Sequence, residues 1–256
     1  MTRKKVMALV TAGIVCMLLF SVLTVLLARV DVAYVPVRFA DPEAQEQAQE
    51  ISIGLSTVNL SFRDSVGYRQ TFYKLSGILA IPMFLLLLFP AVGAIMDLIR
   101  ARGFKNYPKV HFVFFGALVL FVLIYVFFDL VPVNYRPYVE GTAKAMAEYI
   151  RDGHPDSSYP STHVLMAVIF CGICAEEAFR RIRARAPRIA FVCLCVGIGV
   201  AVALCRALSG LHWLTDLCGG ALFGGSFLCF YLAFRLEVDS LYPPSMEKAG
   251  EGTETE

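Results

Sequence analysis

The sequence predicts an all-α fold: a polytopic membrane protein built as a bundle of six transmembrane helices, with a polar active site at the outer membrane face. Three observations carry this expectation. Of 256 residues, 57% are hydrophobic and only 17% charged, an imbalance well beyond that of soluble domains. The apolar residues fall in six long blocks instead of recurring at short periods, as membrane spans require. The ionisable groups at one end of those blocks gather into three clusters. Next to hydrocarbon, such groups persist where they pair with one another or bind something charged.

The blocks follow in order. Block 6–30 comes after Arg3, Lys4 and Lys5. Its basic start resembles a signal peptide, but the apolar run is too long and no small-residue cleavage site follows, so it reads as a span. Segment 31–71 is an acidic connection, with Asp31, Asp41, Glu43, Glu46, Glu50 and Asp64 against Arg38, Arg63 and Arg69. Within it, Asp41-Pro42-Glu43 has the features of a helix start; a short surface helix and an irregular loop both fit. Blocks 72–99 and 112–131 flank Arg100, Arg102, Lys105 and Lys109. A connection of mixed sign, 132–160, leads to blocks 161–179 and 189–208, which flank Arg180, Arg181, Arg183, Arg185 and Arg188. Block 213–234 follows a break at Leu208-Ser209-Gly210. At about 1.5 Å per residue, each block is long enough to cross a hydrocarbon core of about 30 Å. Short connections leave room for one domain, 1–240, and the polar tail 241–256 is expected to be disordered and cytoplasmic.

The basic connections are expected in the cytoplasm. The alternation is consistent across all six blocks, which puts both termini inside and all three polar clusters outside. The net charge of +2 reflects this asymmetry of loops and implies no nucleic-acid partner. All eight cysteines lie in apolar segments. Even Cys171-x-x-Cys174 reads as a pair of small hydrophobes, with neither a disulfide framework nor a zinc site implied.

The clusters are Arg136-Pro137, then Pro160-Ser161-Thr162-His163, then Cys205-Arg206 followed by His212 and Asp216. Two arginines, two histidines, an aspartate and a serine make a receptor for phosphate with a nucleophile and a proton donor beside it. His212 and Asp216 are four residues apart, so on a helix they would share a face. The carboxylate could then hold one ring nitrogen, leave the other as nucleophile, and stabilise the ring once phosphorylated. That spacing alone is more often structural. Arg206 shifts the balance, because the break at Ser209-Gly210 would let one tight turn bring guanidinium and imidazole to the same surface. His154 reads as a solvated loop histidine and His111 as an inner-boundary residue without a chemical role. Trp213 reads as an interfacial anchor or a substrate contact.

These residues resemble the type-2 phosphatidic acid phosphatase family. Its third motif is Ser-Arg, five residues, His, three residues, Asp, and Cys205-Arg206, His212 and Asp216 match it with only the serine replaced. Its second motif, Pro-Ser-Gly-His, is similar to Pro160-Ser161-Thr162-His163, and its first, Lys, six residues, Arg-Pro, to Arg136-Pro137. The likeness covers roughly 112–232. It implies that His212 takes the phosphoryl group, Asp216 orients it, and His163 protonates the leaving oxygen. Arg136, Arg206, Ser161 and the backbone around Thr162 would cradle the phosphate, a task suited to bidentate arginine. The resemblance further implies an integral membrane lipid phosphatase of a bacterial inner membrane, with no metal and no cofactor. It would hydrolyse a lipid phosphomonoester or pyrophosphate at the outer leaflet through a phosphohistidine. The partners implied are the bilayer and a phospholipid or polyprenyl (pyro)phosphate. A phosphotransferase using the same histidine, or a non-enzymatic binder of anionic lipids, are the alternatives. Asp129 stands where the family has lysine. A carboxylate there would repel phosphate, so Asp129 is expected to turn away or pair with an arginine. Lys109, about 30 Å away along a helix, cannot substitute, whereas Lys144 or Arg151 could fold back over the site.

Overall fold

A computed structural model describes residues 2–39, 49–104, 106–140 and 143–242. The described elements, in order, are α1 (Thr2–Arg29), β1 (Ala33–Pro36), β2 (Arg38–Phe39), β3 (Glu50–Ile53), α2 (Ser56–Val66), α3 (Gln70–Leu86), α4 (Leu88–Ala101), α5 (Val110–Leu130), β4 (Tyr138–Val139), α6 (Ala143–Asp152), α7 (Thr162–Arg181), α8 (Arg185–Ser209) and α9 (Leu214–Leu241). Six helical stretches are long and apolar enough to cross a bilayer, one for each predicted block. The second stretch, Gln70–Ala101, is two helices that part at Leu87. Pro90 lies in the first turn of α4, where a missing N–H costs nothing because the helix could not satisfy it internally. The last helix runs past 234 to Leu241. Hydropathy stops at the first charge there, but the backbone does not, because Arg235 pairs with Glu176 and Glu177 and Asp239 pairs with Arg180.

The hub of the bundle is α7, which packs against α8, α9 and α3, while α1 lies along α9. Their shared core includes Met83, Phe114, Leu165, Ile169, Ile173 and Val202. Outward-facing Leu18, Ile78, Leu123, Val200 and Phe234 are exposed, as expected of a surface that meets hydrocarbon tails. Helix α9 approaches α7 closely at their N-terminal ends. A Cβ on Gly220 would lie 2.6 Å from the Ser161 carbonyl oxygen, so only glycine allows this contact. All eight cysteines are free.

Outside the bundle, segment 31–71 and connection 132–160 build a cap that adds two small sheets to the predicted helices. Strands β1 and β3 pair antiparallel, and β2 and β4 pair parallel. The cap has its own apolar core of Val37, Phe39, Ile51, Ile53, Val139 and Tyr149, closed by Trp213. Trp213 is fully buried and donates its indole N–H to the Tyr135 carbonyl at 2.7 Å. It is therefore neither an interfacial anchor nor a substrate contact. Its large apolar ring fills the seam between cap and bundle. Asp41-Pro42-Glu43 falls outside the described residues, as does the tail beyond Tyr242. The first described helix of segment 31–71, α2, starts later, where the distant Asp31 carboxylate accepts from the Ser56 hydroxyl and the Thr57 N–H at 2.9 and 2.7 Å. These bonds hold the Asp31 carboxyl below its ordinary pKa.

At the opposite end, buried charges tie four helices together. His111 on α5 reaches Asp97 on α4 at 2.9 Å, and Arg181 on α7 joins the same carboxylate at 2.6 Å. Glu177 links Arg181 to Arg235 on α9. His111 thus has a packing role that its boundary position in the sequence did not suggest. A network in which each charge has an opposite partner avoids the cost of isolated charges near hydrocarbon.

Candidate active site

Four helix ends and the cap converge on the site. Ser161 occupies the N-cap of α7, yet its hydroxyl makes no capping bond. A serine at that place normally spends its oxygen on a first-turn N–H. Here the buried Oγ has no partner, and the Ser161 N–H donates to the Asp216 carbonyl at 2.9 Å, linking α7 to α9. His163 follows in the first turn of α7, whose unspent N–H groups and dipole favour an anion.

The second contribution comes through the turn between α8 and α9. Gly210 has φ +74, and a Cβ there would lie 2.0 Å from the Gly67 carbonyl oxygen. Both the left-handed backbone and the close approach of the cap demand glycine. This turn carries the chain from Arg206, in the last turn of α8, back to His212. The Arg206 Nη2–H donates to the His163 Nε2 at 2.6 Å, and its guanidinium lies over the Tyr73 ring at 5.3 Å. Its Nε and Nη1 are buried without partners. Because arginine can only donate, His163 is neutral at Nε2 in this arrangement.

His212 and Asp216 differ from expectation. His212 lies in the turn before α9, so the two residues do not share a helical face. Its Nδ1 is 3.6 Å from Asp216 Oδ2, too far for a hydrogen bond. The reason is local: Asp216 is the third residue of α9 and spends Oδ2 on helix capping. That oxygen accepts from the Trp213 N–H at 2.9 Å and, more closely, from the Ser158 hydroxyl. Asp216 therefore faces His212 as a charge more than as a hydrogen-bonded holder. Burial pushes the His212 pKa below its ordinary value; Asp216 opposes this shift, and Arg136 and Arg206 add to it. A neutral imidazole, the form a nucleophile needs, is favoured.

Arg136 comes from the 131–142 connection. Its Nη1 contacts Glu140 at 2.7 Å and Asp156 at 3.4 Å, and its Nε is buried without a partner. Arg136, Arg206, His163 and His212 lie close enough for each to feel another's charge. A cavity of about 490 Å³ opens beside Arg136 and His212, lined also by Thr162 and Asp129 and by Lys144 and Arg151 of α6. Asp129 has not turned away and, among the described residues, pairs with no arginine; it is exposed at the end of α5, on the cavity wall. His154 also borders this cavity, with its ring against Tyr135. Cys205 is buried next to Arg206. Among the described residues, no three His, Cys, Asp or Glu side chains group as metal ligands would.

Sequence reasoning missed four residues that hold this arrangement. Glu140 and Tyr73 brace the two arginines, and the Tyr73 hydroxyl also bonds Glu140. Ser158 holds Asp216. Buried Asn59 of α2 bonds the Thr215 hydroxyl at 3.0 Å and the Thr215 N–H at 3.2 Å, clamping the start of α9. Only Glu140 carried a signal, as a carboxylate four residues after Arg136.

No curated protein and no solved structure was found to match the chain. The family model of the PAP2 superfamily matches residues 108–239, just over half of the chain and the part that holds every one of the three polar clusters. With six helices fit to cross a bilayer, this chain belongs to the PAP2 superfamily, as a multi-pass membrane member of a group that carries out phosphatase or phosphotransferase chemistry on lipid phosphates.

Proposed function

We propose that the protein hydrolyses a lipid phosphomonoester or pyrophosphate at the outer leaflet of a bacterial inner membrane, through a phosphohistidine. One observation carries this reading: the buried donors Ser161 Oγ, Arg206 Nε and Nη1, and Arg136 Nε have no partners and surround a neutral His212. Unpartnered buried donors are costly, and the equatorial oxygens of a phosphoryl group would satisfy them together. His212 Nδ1 faces Asp216, so Nε2 is the attacking nitrogen. Attack forms the N–P bond as the P–O bond to the lipid breaks, and the leaving oxygen takes a proton from His163. Water then attacks phosphorus, His163 takes its proton, and inorganic phosphate leaves His212. An entering phosphate dianion competes for the Arg206 N–H that His163 now accepts, which frees the His163 nitrogen to carry its proton. Asp216 stabilises the charged phosphoimidazole.

A lipid substrate is supported by an apolar groove of about 760 Å³ along α5 and α9, lined by Gly116, Leu120, Ile124, Phe223 and Phe227. The next turn of α5 supplies Tyr125, Phe128 and Asp129 to the cavity over His212. A chain lying in the groove would thus leave its head group at the site. The test is phosphate release by purified protein from a panel of lipid phosphates, together with capture of labelled protein. Label on wild-type protein that is acid-labile and base-stable, and absent from His212→Ala, is expected. Label passed to a second lipid instead of water would establish phosphotransfer, and absence of any labelled protein would exclude the phosphohistidine.

A further inference from the structure

The charges around the cavity leave one carboxylate without a counterpart. Seven lining residues are charged: Arg136, Lys144 and Arg151 against Asp129, Glu148, Asp152 and Asp156. Each cation is already matched. Lys144 Nζ lies 3.7 Å from Glu148, Arg151 Nε lies 2.7 Å from Asp152, and Arg136 Nη1 lies 3.4 Å from Asp156. Asp129 remains, and it makes no ion pair among the described residues. In the first connection Arg38 and Arg63 are paired with Asp64, and residues 40–48, outside those described, include Asp41, Glu43 and Glu46 and no basic residue.

A phosphate group brings further negative charge into this setting. Arg206, Arg136 and the N-terminal end of α7 are set to face its oxygens, and Asp129 lines the same cavity as Arg136 and Thr162. A substrate that was anionic throughout, such as a lipid diphosphate, would meet repulsion from Asp129. The cavity, about 490 Å³, also has room for more than the transferred phosphate. We infer that the preferred substrate is a lipid phosphomonoester with a cationic group, an ammonium, close to the phosphate, and that Asp129 reads it. A divalent cation is the weaker occupant, because no three acidic or histidine side chains group together among the described residues. Asp129 ends a spanning helix, so it lies at the depth where a lipid's head group meets the interface. This inference rests on the phosphatase reading and selects the substrate class for that same site.

The test compares two lipids of equal chain length, a long-chain 2-aminoalkyl phosphate and its 2-hydroxy counterpart, as substrates of the full-length protein in detergent. The amino compound should have a kcat/KM higher by about fivefold, the scale of one partly exposed ion pair. Asp129→Asn should bring the ratio towards one, and Asp129→Lys should invert it. The Asn variant serves as the control if the Lys variant folds poorly. Equal rates on both lipids in the wild type, or a ratio that ignores both substitutions, would overturn the inference and leave the phosphatase reading standing. So would a preference that vanishes in added calcium or magnesium while the hydroxy lipid speeds up, since that would make the occupant a metal ion. Hydrolysis of neither lipid, while phosphate is released from another lipid phosphate of the panel, would overturn the inference alone; release from no lipid phosphate would sink the phosphatase reading, and the inference with it.

Discussion

His212 sits where burial works against its protonation, and this has a readable consequence. With its pKa held below the ordinary value of about 6.5, the imidazole stays neutral to lower pH than a free histidine. The acidic limb of the pH profile of kcat/KM should therefore lie below pH of about 6.5, and a limb above that value would contradict the burial argument. Linkage has the same sign. The unfolded chain takes up the proton first, so this histidine's contribution to stability is present above its unfolded pKa and declines as pH falls. His212→Ala should abolish turnover. His163→Ala should hurt least on substrates with good leaving groups, which need little protonation. Hydrolysis of a natural lipid at a substantial rate by His212→Ala would exclude the proposed nucleophile. These residues were visible in the sequence because each chemical type stood where an apolar segment ended. What stayed hidden was how Asp216 is used. Helix capping claims its near oxygen, and no spacing rule shows that His212 falls two residues short of the helix.

At the scale of elements, the turn at Gly210 and the clamp at Asn59 hold the arginine and histidine together. Gly210→Ala combines a positive φ with a Cβ 2.0 Å from the Gly67 oxygen, so it should cost on the order of 2–3 kcal/mol or more. Thermal unfolding in detergent would measure it; a shift within error would mean the cap can move away. Asn59→Ala leaves Thr215 without its buried partner and should cost about 1–3 kcal/mol, with a lower kcat if the start of α9 then shifts. The six spans could be read directly, because apolar length is a coarse, local property. The cap could not. Its strands are two to four residues long, and β1 and β3 pair across a segment of acidic, loop-like composition. Only the alternation at Val35, Val37 and Phe39 and at Ile51 and Ile53 hinted at period two, and such short runs are ambiguous by periodicity alone. Asn59 had no signal at all, since a polar residue in a loop says nothing of its partner 156 residues on.

For the whole molecule, charge is distributed between the two ends of the bundle. The site end holds Asp129, Glu140, Asp156 and the acidic first connection, whereas Arg100, Arg102, Lys109, Arg183 and Arg185 lie at the end where α4, α5, α7 and α8 meet their short connections. Positive loops are retained in the cytoplasm, so the site end should face outward and both termini inward. Single cysteines introduced at Glu148, on α6 beside the cavity, and at Arg183, in the turn between α7 and α8, separate the two orientations. In intact cells, a membrane-impermeant thiol reagent should label the first and leave the second until the cells are opened. The native background should be low. All eight cysteines lie within the six helical stretches long enough to span a bilayer, and of them only Cys193 and Cys218 are exposed. Labelling at Arg183 but not Glu148 would turn the protein over and put phosphate release on the cytoplasmic side. A substrate in the outer leaflet would then be out of reach of His212, so the proposed leaflet and the orientation stand or fall together.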